Sequence, residues 1–411
     1  MPTLSRTDPA YLATLVLTAL NSIATGVVTS GIFFLTRQGY GFSELQNYLL
    51  AAVIGITYVL GAAGAGPLVR WLRAHLCTRT LVLGLLVAMA GLCALPAWAG
   101  PWVVWVLVAL YSPLAGTLWP IVESYVSGGR AGEILRKGIG TWNVVWSASL
   151  VVAYLAIAPF CEAYPAATLL VLGGVQLVST TALVWLPREP LAHGPAHVPE
   201  PAAPSAGSGE DVHLLAAFRF LLPTSYMVLT VLGPFLPSAM ERLGIARELQ
   251  TVVATAWLLP RALAFAGLAG WHEWHGRWWF PAVGGTLLVG GFALAMGASW
   301  LATGPAGVVL LVLGLIGFGL GMAAIYKGAL YYVMEVGQSE VGAGGSHETL
   351  IGLGYSVGPL LGLGAAAAVQ RGWLAAEDLE LGVLVPTAVL GVAGLAYAWR
   401  IGHRRVRSRS G

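Results

Sequence analysis

Residues 187–211 read PREPLAHGPAHVPEPAAPSAGSGED, and this stretch decides how the rest of the chain divides. It is Pro-, Ala-, Gly- and Ser-rich, so it reads as a flexible linker rather than a packed element. Everything on either side of it has the opposite character. Hydrophobic residues make up 57% of the 411 and charged residues only 9%, and the mean hydropathy is +0.78. A soluble domain carries about 25% charged residues, so this inventory cannot build a water-facing surface. The apolar stretches Tyr11–Leu35, Leu49–Leu68, Leu81–Ala97 and Val103–Ile121 approach or exceed the roughly 20 residues needed to cross a ~30 Å hydrocarbon core.

Working outward from 187–211, six spans precede the linker, near 11–36, 43–66, 79–97, 102–127, 134–158 and 165–187. Six follow, near 214–238, 249–270, 279–301, 305–334, 342–369 and 380–400. The expected fold is therefore all-α and integral to the membrane, with twelve transmembrane helices in two six-helix bundles. The domains are 1–187, a linker 188–212, 213–403 and a basic tail 404–411. The first stretch is too long for a signal-peptide core and is followed by no small-residue cleavage site, so it reads as retained.

An even count puts both termini on one side, and the Lys/Arg bias selects it. Arg6, Arg70, Arg73, Arg79, Arg130, Arg136, Lys137, Arg188, Arg277 and the tail arginines share the side of the N-terminus. Only Arg37, Arg242, Arg247 and Arg371 fall opposite. The positive-inside rule makes both termini cytoplasmic, in a plasma membrane such as the bacterial inner membrane. The net charge of +3 gives no reason to expect nucleic acid. Cys77, Cys93 and Cys161 are an odd, scattered set that forms neither a disulfide framework nor a metal cluster, and no cofactor is expected.

Sliding the chain against itself by 207 residues places Arg70-Trp71 on Arg277-Trp278, Tyr125-Val126 on Tyr332-Val333, Glu133 on Glu340, Gly138 on Gly345 and Ser149 on Ser356. One offset kept across several loops and helices is the trace of a duplication. Parallel six-helix repeats characterise one large class of transporters. On this layout, with its mid-chain linker, the chain resembles the major facilitator superfamily over essentially its whole length. Glu273-Trp274-His275-Gly276-Arg277 looks like that family's acidic-x-x-Gly-Arg loop motif. The equivalent loop, Gly66-Pro67-Leu68-Val69-Arg70, keeps the glycine but has Arg70 where the family has aspartate. Gly354-x-x-x-Gly358-Pro359-x-x-Gly362 looks like the family's glycine-proline motif, displaced from the fifth span to the repeat-related eleventh. The arginine common midway along the fourth span is replaced by Ser112. By this resemblance Arg70, Glu273, Arg277, Gly358 and Pro359 are candidate gating residues.

An ionisable group inside a span costs at least ~2.5–3.5 kcal/mol, so its placement is informative. The candidates are Glu123, Arg219, Arg261, Lys327 and His347-Glu348, in the fourth, seventh, eighth, tenth and eleventh spans. In the resembled family, spans 1, 4, 7 and 10 line a cavity, 2, 5, 8 and 11 form the moving interface, and 3, 6, 9 and 12 face lipid. The charges fall only on the first two groups. Depth along the spans predicts a Lys327–Glu348 contact at a cytoplasmic gate, and Glu123 near Lys137 or Asn143. Thr14, Thr18, Asn21, Thr25 and Thr29 recur at helical spacing on one face of the first span. Trp119, Trp142, Trp146, Tyr226, Trp257, Tyr326 and Tyr355 are aromatic residues suited to a partly apolar or ring-shaped solute, although helix packing explains each equally well.

The expected function is a secondary transporter that moves a small solute by alternating access, proton-coupled through Glu123, Glu348 and His347, and working as a monomer. Buried Lys327, Arg261 and Arg219 favour a solute with negative or strongly hydrogen-bonding groups. An enzyme is disfavoured: His347-Glu348 begins a zinc-protease pattern, but Ile351 breaks HExxH. A lipid flippase or a non-transporting receptor on the same fold is the alternative.

Overall fold

A computed structural model of the protein describes residues 8–130, 132–191, 209–271, 273–336, 341–375 and 378–409. Much of the expected linker, residues 192–208, and the turn at 337–340 lie outside them. Twelve described helices are long and apolar enough to cross a membrane: α1 Pro9–Gly39, α2 Glu44–Leu72, α3 Thr78–Ala99, α4 Val103–Ser127, α5 Glu133–Ile157, α6 Pro165–Trp185, α7 His213–Arg242, α8 Arg247–Gly270, α9 Trp279–Leu301, α10 Gly304–Val333, α11 Gly345–Gln370 and α12 Leu379–Arg400. The chain is a multi-pass membrane protein. Its outward-facing side chains, among them Leu60, Val171, Val184, Leu263 and Val389, are large, apolar and exposed, which suits lipid and not water.

Local chemistry sets the helix ends. Asp8 caps α1 by accepting from the Ala10 N–H at 3.0 Å, with Pro9 in the first turn. Ser43 and Gln46 form a reciprocal capping box at the start of α2. The second span was expected to end near residue 66, yet α2 continues through Gly66-Pro67 to Leu72. Proline removes one helical hydrogen bond, and membrane helices tolerate that loss where neighbours pack around it. Arg70 therefore sits on the last helical turn, exposed, where its charge complements the helix C-terminus. In α1 the α-helical pattern is interrupted by a π-helical turn at Val27–Gly31.

The duplication reappears as repeated neighbours. Helix α1 packs on α5 and α6, as α7 packs on α11 and α12. Likewise α2 packs on α4 as α8 packs on α10, and α3 on α6 as α9 on α12. The two sets of six meet chiefly through α2 against α11 and α5 against α8. We call the face where α6 ends and α7 begins the linker side, and the opposite face the far side.

The cysteines supply a direct probe of this arrangement. Cys77, in the linker-side turn before α3, has a thiol held below its ordinary value by hydrogen bonds from the Thr80 side chain and backbone. Cys161, between α5 and α6, is buried, and burial pushes its thiol up to about 12. Cys93 is buried in α3. A hydrophilic maleimide applied to the folded protein in detergent at neutral pH is expected to modify Cys77 alone, read as one adduct by intact mass. Rapid modification of all three would contradict the packing described.

Candidate solute cavity and carboxyl pair

Between the halves lies a narrow central cavity with about 50 Å³ of free space, lined by both bundles. Helix α1 contributes Ser22, Thr25, Thr29 and Ser30 to its wall, and α5 contributes Trp142, Trp146 and Leu150. The second half supplies Tyr226 from α7, Trp257 and Arg261 from α8, Tyr326 from α10, and Glu348 and Tyr355 from α11. All seven aromatic residues singled out in the sequence line it, with Trp119 from α4 completing the set. The π turn of α1 carries Thr29 and Ser30, so the irregular backbone borders the cavity, a common location for such turns. Toward the far side the space continues into a second lobe walled by Phe33, Phe34, Leu232 and Leu236.

At the cavity edge two acidic side chains from opposite halves meet. The carboxyl groups of Glu123 in α4 and Glu348 in α11 lie close enough to interact, and both residues are buried. The Tyr58 hydroxyl on α2 donates to Glu348 Oε2 at 2.5 Å. Glu123 Oε1 is buried without a partner.

Arg261 crosses the α5–α8 contact. Its guanidinium lies 4.6 Å from the centre of the Trp146 ring and 4.7 Å from that of Trp257. Its Nε donates to Ser147 Oγ at 3.0 Å, while Nη2 is buried without a partner. Among the described residues no carboxylate forms an ion pair with it.

Several expectations change. Lys327 does not pair with Glu348. Successive residues on a helix diverge by about 100°, so while Tyr326 faces the central cavity, Lys327 turns toward α5 and α8. There it lines a smaller linker-side cavity with Arg136, Trp274 and His275, near Gly140. Glu123 meets neither Lys137 nor Asn143: Lys137 pairs with Glu133 one turn away at 2.5 Å, on the exposed surface. Asn143 is fully buried, and neither end of its amide has a partner. His347 packs edge-on against the Tyr326 ring at 5.5 Å with both ring nitrogens unpartnered. Arg219 lies on an exposed face of α7.

The polar stripe of α1 divides its duties. Thr14 and Thr29 bond back to their own helix. Thr18 accepts from the Trp142 indole at 2.9 Å, and Thr25 pairs with the Tyr111 hydroxyl at 3.0 Å. Asn21 turns away from the cavity and accepts from Gln176 of α6 at 2.6 Å. Glu273 and Arg277 are both exposed and form no ion pair among the described residues. Gly358 and Pro359 are buried, and Gly358 presses on the α7 backbone, where an added Cβ would stand 2.3 Å from Met227 O. The displaced glycine-proline motif thus serves close packing of α11 on α7. Tyr58 and Ser147 reach Glu348 and Arg261, yet neither stands out in the sequence by residue type or spacing.

The far side is tied by polar contacts between the halves. Arg37 reaches Glu241 at 2.7 Å, Gln38 reaches Gln250 at 2.8 Å, and Arg247 reaches Glu162 at 2.5 Å. Arg242 bridges Glu44 and Glu380. On the linker side Gly140 approaches Ala269 and Lys327 across the halves, and Gly345 approaches Ala62.

No family model and no curated protein matches the sequence. Solved structures do match it. A mutant form of the nucleoside transporter NupG is 13% identical with a TM-score of 0.67, covering 95% of this chain and 99% of that one. A bacterial homologue of the human lysosomal transporter Spinster, inward-facing and unoccupied, is 14% identical with a TM-score of 0.67, covering 97% and 98%. The human organic anion transporter MFSD10 (TETRAN) is 16% identical with a TM-score of 0.62, covering 96% and 100%. Near-complete coverage in both directions gives this chain the fold of the major facilitator transporters.

Proposed function

We propose that the protein is a proton-coupled secondary transporter that carries a small solute across a bacterial inner membrane by alternating access, with both termini cytoplasmic. The working unit is one chain: halves 1–187 and 213–403, a linker 188–212 and a tail 404–411. The observation that carries this reading is the buried approach of Glu123 to Glu348, contributed by opposite halves beside the central cavity. A carboxylate only accepts hydrogen bonds, so two carboxyl groups can bond each other only when one holds a proton. Without that proton the two like charges repel, and like charges at a separation of about 4 Å repel by about 4 kcal/mol at an effective dielectric of 20. Gain and loss of the proton therefore change how firmly α4 holds α11, which links protonation to the separation of the halves.

Two transport properties follow. In proteoliposomes, solute accumulation should depend on an imposed pH gradient and collapse with a protonophore. Gradient-independent movement of a solute that binds the cavity would defeat the coupling. Appearance of labelled lipid in the opposite leaflet, with no solute uptake, would favour a flippase instead.

The far-side ties act as the opposing gate in this reading. Glu241→Gln removes a charge from a pair whose side chains are 29% and 26% exposed, so its contribution is about 1 kcal/mol. That corresponds to a roughly fivefold shift toward far-side-open molecules. A cysteine placed at Ser30 on the cavity wall should then react several times faster with a far-side maleimide. An unchanged rate would remove this pair from gating.

A further inference from the structure

We infer that the solute is a monoanionic aromatic acid whose carboxylate docks on the guanidinium of Arg261 and whose ring lies among the indoles and phenols of the cavity. The inference rests on the transport reading above for its biological meaning, but its physical basis is separate. Arg261 is 2% exposed, lines the cavity and has no anionic partner among the described residues. A buried cation without a counter-charge is expensive, and flanking ring faces offset only part of that cost. Ser147 takes only Nε and Nη2 is buried without a partner, so the guanidinium keeps unused donors for an incoming group. Two N–H donors side by side match a carboxylate. One positive charge balances one negative charge, which argues against a phosphate dianion or a dicarboxylate.

The walls specify the remainder of the solute. Trp146 and Trp257 hold the guanidinium, while Trp119, Trp142, Tyr226 and Tyr326 present rings from both halves around the remaining space. Ring faces and edges of this kind favour a flat aromatic body over an aliphatic one. Glu348 borders the same space. Its carboxylate would repel an acid, and its protonated form would not. Acid and proton should therefore bind together, which makes the direction of coupling symport.

The test uses the full chain in lipid nanodiscs and reads intrinsic tryptophan fluorescence, since four indoles line the site. The probes are benzoate, 4-hydroxybenzoate and indole-3-acetate, each with its neutral amide, plus cyclohexanecarboxylate and phenylethylamine. Aromatic acids should bind about 10- to 100-fold more tightly than their amides, the range expected for a charge-assisted hydrogen-bond pair. Arg261→Gln should abolish that preference and Arg261→Lys should restore part of it. Comparing acid with amide on the unsubstituted protein needs no variant, so misfolding of a variant leaves the inference exposed to refutation. Equal binding of acid and amide, tightest binding of the amine, or no binding by any aromatic acid would each overturn it. Counterflow of the tightest-binding acid in proteoliposomes is measured separately. Binding without counterflow would refute the transport reading and leave the ligand class standing.

Discussion

Glu348→Gln is expected to abolish pH-gradient-driven accumulation while leaving the protein folded. The glutamine oxygen can still accept from Tyr58, and its amide can donate to Glu123 in place of the shared proton. The substitution thus fixes the α4–α11 contact in its bonded form without a titrating group. One pH unit is worth about 1.4 kcal/mol per proton, enough for about tenfold accumulation of a solute coupled to one proton. The variant should instead level off near equal concentrations inside and outside, with a pH-independent rate of solute exchange. Glu123→Gln should do the same, and the double variant should be no worse than either single one, because one shared site is being removed. Accumulation by Glu348→Gln that still follows the gradient would end the proposal that this pair couples transport to protons.

A second large effect is expected where helices touch through glycine. At Gly61 an added Cβ would stand 2.0 Å from Pro113 O, and at Gly116 it would stand 2.5 Å from Tyr58 O, so α2 and α4 meet backbone to backbone inside the first half. The Thr117 hydroxyl donates to Gly61 O at 3.2 Å across the same contact. Gly61→Ala must push these helices apart. The expected loss is about 3 kcal/mol, at the upper end of overpacking costs, seen as a lower thermal midpoint and poor recovery from detergent. Gly55 offers the contrast. Its Cβ would stand 2.2 Å from Tyr355 O, which belongs to the other half. Gly55→Ala should therefore spare each half and instead enlarge the population with α2 and α11 apart, measured as a longer distance between spin labels on the two helices. A wild-type thermal midpoint for Gly61→Ala, or identical label distances for Gly55→Ala, would show that the contacts yield without cost.

These two positions also separate structure from transport. Loss of function through Gly61 should come with loss of folded protein, whereas loss through Glu348 should not. The comparison guards against reading every inactive variant as a coupling defect.

The twelve spans and the break between two sixes could be read from the chain alone, because a helix in lipid must satisfy its own backbone and present some twenty apolar residues. That demand is local, so composition and length report it directly. The seven cavity aromatic residues and the costly charges were legible for a related reason: such groups survive in a membrane only where helices or water shelter them. Which of them meet was not legible. The sequence gives depth along each helix, but rotation about the helix axis and the pairing of helices arise from packing between distant segments. Tyr326 and Lys327 are adjacent in the chain yet line different cavities, and Glu348 meets Glu123 rather than the lysine at its own depth. Tyr58 came into view only when α2 was laid against α11. The sequence by itself determined what the membrane requires of each helix; only the tertiary structure decided which faces the helices share, because that choice is made by close packing of small residues such as Gly55 and Gly61 on partners far away in the chain.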